Sequence, residues 1–304
     1  MSDRGRGGTV TMAKVLGFCG GVRRAVRRIE EELRDHGPLY TLGAIVHNAH
    51  VVDGLAAKGA KMVTGLSEVP DGGTVAITAH GAGEEIYAEI ERRGLRLVDT
   101  TCPIVRKAQE TVARLVEEGF AVILYGESEH PEVRGILSWT RGRGIATQSA
   151  DVEIEPGPAG VAAIAQTTKS PRHFGAFAKE ITLRYSDRVA DIKNVDTTCP
   201  ETGRRYEAAK SLAATVDLVL VVGSRTSANT RKLVETVRET GVPTYHIESS
   251  DEIEEEWIPE GAAVGVTAGA STPDEVIGDV VRALRAQDGT QAGAQEGDEK
   301  GAAE

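Results

Sequence analysis

The chain has 304 residues, 40% hydrophobic and 27% charged, which suits a folded water-soluble protein with room for two or three small domains. A net charge of −11 argues against a general nucleic-acid binder, which needs a basic footprint. No apolar run approaches the ~20 residues of a membrane span, and the polar, glycine-rich residues 1–9 lack the apolar core of a signal peptide, so the expected location is cytoplasmic.

Residues 1–9 are expected to be disordered. Lys14-Val15-Leu16-Gly17-Phe18 reads as a short strand, the end of a segment spanning 10–19 that closes on Cys19. Residues 22–33 then show helical spacing, with Val22, Ala25, Val26, Ile29 and Leu33 on one face. Val75-Ala76-Ile77-Thr78-Ala79 is an apolar strand ending at His80-Gly81. The strand Leu95-Arg96-Leu97-Val98 runs through Asp99-Thr100-Thr101 to Cys102, and Pro103 opens a helix, where its missing N–H is not needed. Val161 to Ala165 is a further apolar strand, ending at Gln166-Thr167-Thr168. Asn194-Val195-Asp196-Thr197-Thr198 leads to Cys199, with Pro200 opening another helix, so Val-Asp-Thr-Thr-Cys-Pro occurs twice. Val264 to Ala268 ends at Gly269-Ala270-Ser271, and the acidic stretch after Arg285, with no hydrophobic period, reads as a disordered tail over 286–304.

These landmarks repeat. Gly43, Gly126 and Gly223 each precede a polar residue by four positions, and those residues, His47, His130 and Ser227, each lie 28 residues after Cys19, Cys102 and Cys199. Self-similarity of this kind predicts three α/β units with parallel sheets around a pseudo-threefold axis: 20–102, 103–199, and 10–19 together with 200–285. The same βα segments are also compatible with one larger doubly wound sheet.

Three cysteines in a cytosolic chain make a poor disulfide framework, and scattered cysteines are commonly structural. Here each stands at a strand-to-helix junction, where the helix N-terminus favours the thiolate. Three thiolates suit an iron–sulfur cluster with one iron lacking a protein ligand. A Cys₃His zinc site is the competing metal reading, but no Cys-x₂₋₄-Cys pair is present. His47, His80 and His130 fall at strand ends, as do Thr167, Thr168, Ser227, Asn229 and Ser271, a donor-rich set suited to a phosphate or diphosphate. No phosphate-binding glycine loop or dinucleotide fingerprint is present. Glu132 reads either as an acid–base residue or as a first-turn carboxylate favoured by the helix dipole.

Taken together, Gly17-Phe18-Cys19-x-Gly21-Val22-x-Arg24-Ala25, Ile45-Val46-His47-Asn48, Ala79-His80-Gly81, Thr101-Cys102-Pro103, His130-Pro131-Glu132-Val133, Gln166-Thr167-Thr168, Ser227-x-Asn229 and Val266 to Ser271 resemble the 4-hydroxy-3-methylbut-2-enyl diphosphate reductase family (IspH/LytB). The resemblance runs in order over residues 14–285. It implies a trefoil of three α/β domains around one [4Fe–4S] cluster held by Cys19, Cys102 and Cys199. It implies reductive loss of an allylic hydroxyl to give isopentenyl and dimethylallyl diphosphates, the last step of the non-mevalonate pathway. Glu132 would then donate the proton with help from Thr167, and His47, His80, His130, Ser227, Asn229 and Ser271 would hold the diphosphate or its surroundings.

The chain departs from that pattern in places. Ala228 stands where the family commonly has a serine, Gly20 and Arg23 replace the usual residues, and the segment from Cys199 to Arg205 is unusual. Two alternatives therefore stand beside the reductase: a non-redox lyase or hydratase on another phosphorylated substrate, and a phosphate-ligand-binding module with structural thiols. With no flavin or nicotinamide motif present, electrons are expected from an acidic ferredoxin or flavodoxin docking near Arg23, Arg24, Arg27 and Arg28, although these could equally form i,i+4 pairs with Glu30, Glu31 and Glu32.

Overall fold

The computed structural model describes residues 8–46 and 48–298. In chain order the elements are β1 (Val10–Met12), α1 (Gly20–His36), β2 (Leu39–Leu42), α2 (Ala49–Ala57), β3 (Ala60–Val63), β4 (Thr74–Ile77), α3 (Glu84–Arg92), β5 (Arg96–Asp99), α4 (Pro103–Glu117), β6 (Phe120–Tyr125), α5 (Pro131–Ser138) and β7 (Gly144–Thr147). They continue as β8 (Gly160–Ala165), α6 (Pro171–Tyr185), β9 (Asp191–Val195), α7 (Pro200–Ala213), β10 (Leu218–Val222), α8 (Ala228–Arg238), β11 (Thr244–Ile247), β12 (Val264–Ala268) and α9 (Asp274–Asp298).

Among the described residues the strands form three four-stranded parallel sheets, ordered β3-β2-β4-β5, β7-β6-β8-β9 and β11-β10-β12-β1. The wiring is the same in each, and the strand that runs toward a cysteine is always an edge strand beside the third strand. In the third sheet that strand is β1, from the other end of the chain, with Val10 opposite Val264. A single doubly wound sheet is therefore excluded.

The chain divides into two compact units. Among the described residues one comprises 8–19, 48–49 and 204–298, and the other 20–46 and 50–203. The first contains the β11-β10-β12-β1 sheet. Leu218, Leu220 and Val222 of β10 pack with Val264, Val266 and the α9 residues Ile277 and Val280. Val219 and Val221, pointing the other way, pack with Ala209 and Ala213 of α7 and Leu233 and Val237 of α8. Fully apolar strands buried on both faces are what a parallel sheet between helices requires.

The second unit contains the other two sheets. β6 and β8 share the same two-sided burial, with Leu124 and Ile164 facing α4 and α5, and Ile123 and Ala163 facing α6. The two sheets are joined through α3 and α5. The Gln109 side chain and the Trp139 indole N–H both donate to the Ala82 carbonyl, at 3.0 and 3.2 Å, and the Glu84 amide donates to Ser138 Oγ at 2.9 Å. Gly135 lies close beneath the Ala82 backbone.

One local expectation needs correction. The stretch Lys14 to Phe18 is not a strand; β1 stops at Met12, and Gly17 takes φ +71°, a left-handed conformation that ends any extended run. At the other end α9 extends past Arg285 to Asp298, into the segment from residue 286 that the sequence analysis sets apart as a tail. Residues 1–7 and 299–304 lie outside the described part.

Candidate functional site

Each cysteine follows an edge strand and stands at the start of a helix: Cys19 before α1, Cys102 as the N-cap of α4, Cys199 before α7. All three are half-buried thiols, not disulfides. Their backbone N–H groups donate to equivalent carbonyls, each two residues beyond the end of the neighbouring strand: Cys19 to Ala270 (3.1 Å), Cys102 to Ala79 (3.0 Å) and Cys199 to Thr167 (2.7 Å). The repeated Asp-Thr-Thr turn is built identically in its two copies. Asp99 Oδ1 accepts from the Thr101 amide at 2.9 Å and from its hydroxyl, and Asp196 Oδ1 accepts the same pair from Thr198. The Thr100 hydroxyl donates to the Ile77 carbonyl and the Thr197 hydroxyl to that of Ala165.

In the second unit, Glu132 sits in the first turn of α5, only 2% exposed. Its carboxylate accepts from the Thr167 amide at 2.7 Å and from the Thr167 hydroxyl at 3.0 Å. Burial raises its pKa to about 7, although the two bonds from Thr167 and the nearby Lys169 ammonium pull the other way. Gly126 makes this packing possible, since a Cβ there would lie 2.9 Å from Val133 and 3.0 Å from Gln166.

His130 caps α5: its Nδ1 accepts from the Glu132 amide at 3.1 Å, which leaves the proton of the neutral ring on Nε2. The His80 ring meets His130 edge-on, centroids 5.6 Å apart, and its Nδ1 lies 3.4 Å from the Thr78 hydroxyl. His80, His130, Glu132 and Thr167 are thus linked, and Thr167 leads through its carbonyl to the amide of Cys199. Thr168 is the half-buried next residue.

The first unit holds Cys19, Ser227, Asn229 and Ser271. Ser227 is the N-cap of α8, accepting from the Thr230 amide at 3.3 Å, and Asn229 lies in that helix's first turn. Ser271 is buried just beyond β12, the strand beside β10. His47 lies outside the described residues. The arginines of α1 are exposed; Arg27 lies 3.6 Å from Glu31, and Arg24 donates to the Thr101 carbonyl at 3.2 Å.

Sequence reasoning did not single out Lys169, whose ammonium reaches Glu127 at 2.8 Å, or Arg205, which is 3% exposed. A signal for Arg205 existed. Thr202, Arg205, Ala209 and Leu212 are all buried at i,i+3/i+4 spacing, so helical periodicity places Arg205 on the inner face of α7.

Among the described residues no group of three or more His, Cys, Asp or Glu side chains forms a ready site for a single metal ion. A single ion draws its ligands to within ~2.0–2.3 Å of one point, whereas a cubane cluster spreads them over separate irons. The donor chemistry fits the latter: three thiols, each at a helix start, and in the case of Cys102 a side chain that does not cap its own helix. No described helix is long and apolar enough to cross a membrane.

Comparison with known proteins agrees with this geometry. The chain is 39% identical over 274 residues to the 4-hydroxy-3-methylbut-2-enyl diphosphate reductase of Dehalococcoides mccartyi strain CBDB1, covering 89% of this chain and 95% of the relative. It is 41% identical over 278 residues to that of an Anaeromyxobacter species, covering 91% and 96%. A solved structure of (E)-4-hydroxy-3-methyl-but-2-enyl diphosphate reductase, the terminal enzyme of the non-mevalonate pathway, superposes with TM-score 0.71 at 36% identity over 91% of this chain and 99% of that one. The corresponding Plasmodium falciparum reductase gives TM-score 0.82 at 26% identity, covering 91% and 87%. The family model described as LytB protein matches residues 10–285, and the chain belongs to that family.

Proposed function

We infer that this chain is a 4-hydroxy-3-methylbut-2-enyl diphosphate reductase, an oxidoreductase of the non-mevalonate isoprenoid pathway. The observation that carries the reading beyond likeness is the buried Glu132–Thr167 pair joined through one carbonyl to the amide of Cys199. The family binds a [4Fe–4S] cluster. Cys19, Cys102 and Cys199 would hold it here. When bound, the cluster supplies electrons and Lewis acidity toward the substrate hydroxyl.

The overall change takes two electrons and two protons: the allylic C–O bond breaks, oxygen leaves as water, and one proton goes to carbon, giving isopentenyl or dimethylallyl diphosphate. Glu132 holds a proton near neutrality and is the donor, and Thr167 orients its carboxyl by bonding both oxygens. A bound diphosphate would disfavour the Glu132 carboxylate further. His80, His130, Ser227, Asn229 and Ser271, with Thr168 and His47, form the diphosphate subsites. Ala228 still offers a backbone N–H at the start of α8, so the hydroxyl missing there costs about one hydrogen bond, ~1 kcal/mol.

The electrons come from a ferredoxin- or flavodoxin-type donor at the exposed Arg23, Arg24, Arg27 and Arg28 of α1, where charge complementarity speeds association. Reversing Arg27 and Arg28 to glutamate, and sparing Arg24 because it bonds the Thr101 carbonyl, should slow donor-driven turnover, most at low salt, and leave turnover with a small chemical reductant intact. Equal loss with both reductants removes the docking assignment. The reading as a whole is tested by anaerobic purification, iron and sulfide analysis, and assay on the allylic diphosphate with a chemical reductant. A brown protein that consumes two electrons per product is expected. A colourless protein after reconstitution, or one that dehydrates without reductant, overturns it.

A further inference from the structure

The approach to Cys19 lacks the residues that build the other two. Two positions before Cys102 and Cys199 stand Thr100 and Thr197, whose hydroxyls donate to the carbonyls of Ile77 and Ala165, the last residues of β4 and β8. Two positions before Cys19 stands Gly17, which has no hydroxyl. The last residue of β12 is Ala268, and its carbonyl is bonded all the same: Arg205 Nη1 donates to it at 2.8 Å. Arg205 Nη2 donates at 2.8 Å to the carbonyl of Gly17 itself. One buried guanidinium thus joins the two places that a threonine joins in the other copies.

Gly17 cannot readily be restored to threonine. Its φ of +71° strains any side chain, and a Cβ would lie 2.9 Å from Asp274 Oδ1 and 3.0 Å from Ile277. Between the Ala13 amide on Val266 (2.9 Å) and the Cys19 amide on Ala270 (3.1 Å), the loop has no strand pairing. A guanidinium is suited to bridging two carbonyls because its donors form a rigid planar fork. Burying it is costly unless those donors are used, and removing it strands two acceptors.

We propose that Arg205 is the positioning residue for Cys19, a clamp from α7 that replaces the missing threonine of the turn and fixes the loop 13–19 so that the thiol is presented to the cluster. The proposal rests on Cys19 being a cluster ligand. It is tested on the full, anaerobically reconstituted chain by amide hydrogen exchange and by the rate of iron release to a chelator, in Arg205→Gln, Arg205→Lys and Cys19→Ser. In Arg205→Gln, exchange over 13–19 should speed by about tenfold, with 95–102 and 191–199 unchanged, and iron release should speed on a similar scale, consistent with one lost local bond network. Arg205→Lys, keeping the charge but losing the fork, should fall between, and it serves as the readout if the glutamine variant does not fold. Unchanged exchange over 13–19, or equal acceleration throughout the chain, overturns the clamp. So does loosening of 13–19 without faster iron release while Cys19→Ser loses its cluster. Full iron in Cys19→Ser instead overturns the ligand reading beneath it.

Discussion

The two Val-Asp-Thr-Thr-Cys-Pro segments have the same sequence and the same internal hydrogen bonds, yet they sit in different surroundings. The Cys102 copy is braced. Asp99 is paired with Arg106 and accepts from the Tyr87 hydroxyl at 3.3 Å, Arg106 also reaches the Tyr87 oxygen at 2.8 Å, and Arg24 bonds the Thr101 carbonyl. Thr100 and Thr101 are buried. In the Cys199 copy Asp196 is exposed, and Thr197 and Thr198 are half-buried. Among the described residues Asp196 has no cation in the place of Arg106. What the Cys199 copy has instead is Thr167, whose carbonyl takes its cysteine amide while its own amide and hydroxyl hold Glu132. The hexapeptide fixes a turn; its neighbours make one copy a strut and connect the other to the acid.

The largest expected effect lies on the connected side. Glu132→Gln preserves shape and removes the proton, so turnover should fall by ~10²–10⁴-fold with the cluster retained. Near-normal kcat would reduce Glu132 to a helix-start carboxylate and erase the functional contrast between the two turns.

Next comes the pH dependence of stability. Folded Glu132 keeps its proton up to about pH 7, whereas its ordinary value is 4.5, so between those values the folded chain binds more protons than the unfolded one. Stability should therefore fall as pH rises through that window, by on the order of 3 kcal/mol in all. Denaturant melts of the cluster-free protein at pH 4.5 and 8 check this, and Glu132→Gln should flatten the difference. A wild-type curve that rises over the window contradicts the assignment.

The braced side should dominate stability differences between the turns. Asp99→Ala strands Arg106 and Tyr87 as well as opening the turn, and is expected to cost about 2 kcal/mol. Asp196→Ala loses only its two exposed turn bonds and should cost about 1 kcal/mol or less. Equal shifts in melting midpoint would mean that the Arg106–Tyr87 brace contributes nothing. The smallest effect belongs to Arg24→Gln, which loses one part-buried bond to the Thr101 carbonyl, about 0.5–1 kcal/mol. A larger loss than for Asp99→Ala would invert the proposed ranking.

Much of this fold is legible in the sequence. The apolar runs at 161–165 and 264–268 read as strands buried on both faces, and Pro103 and Pro200 mark helix starts because proline is tolerated only in the first turn. The equal spacing from cysteine to the next polar landmark exposed the repeat. The loop 14–18 misled because its apolar residues look like a strand while Gly17 turns the backbone left-handed. Glu32, at i,i+4 spacing from Arg28, is buried and lies 3.0 Å from Arg96 and 3.2 Å from His36, because α1 packs on β5.

The sequence by itself determined the period of the chain, the positions of its three thiols at helix starts, and the local turn that Asp-Thr-Thr makes with itself, since each depends on residues close together in the chain. Tertiary structure decided what needs residues far apart. It set the register of β1 on β12, with Val10 opposite Val264, inside the unit that the repeat had already joined from the two ends of the chain. It buried Glu132 against Thr167 and so moved its pKa toward neutrality. It also brought Arg205 to the carbonyls of Gly17 and Ala268. Burial and long-range hydrogen bonds set charge state and rigidity, and neither is encoded in a local pattern.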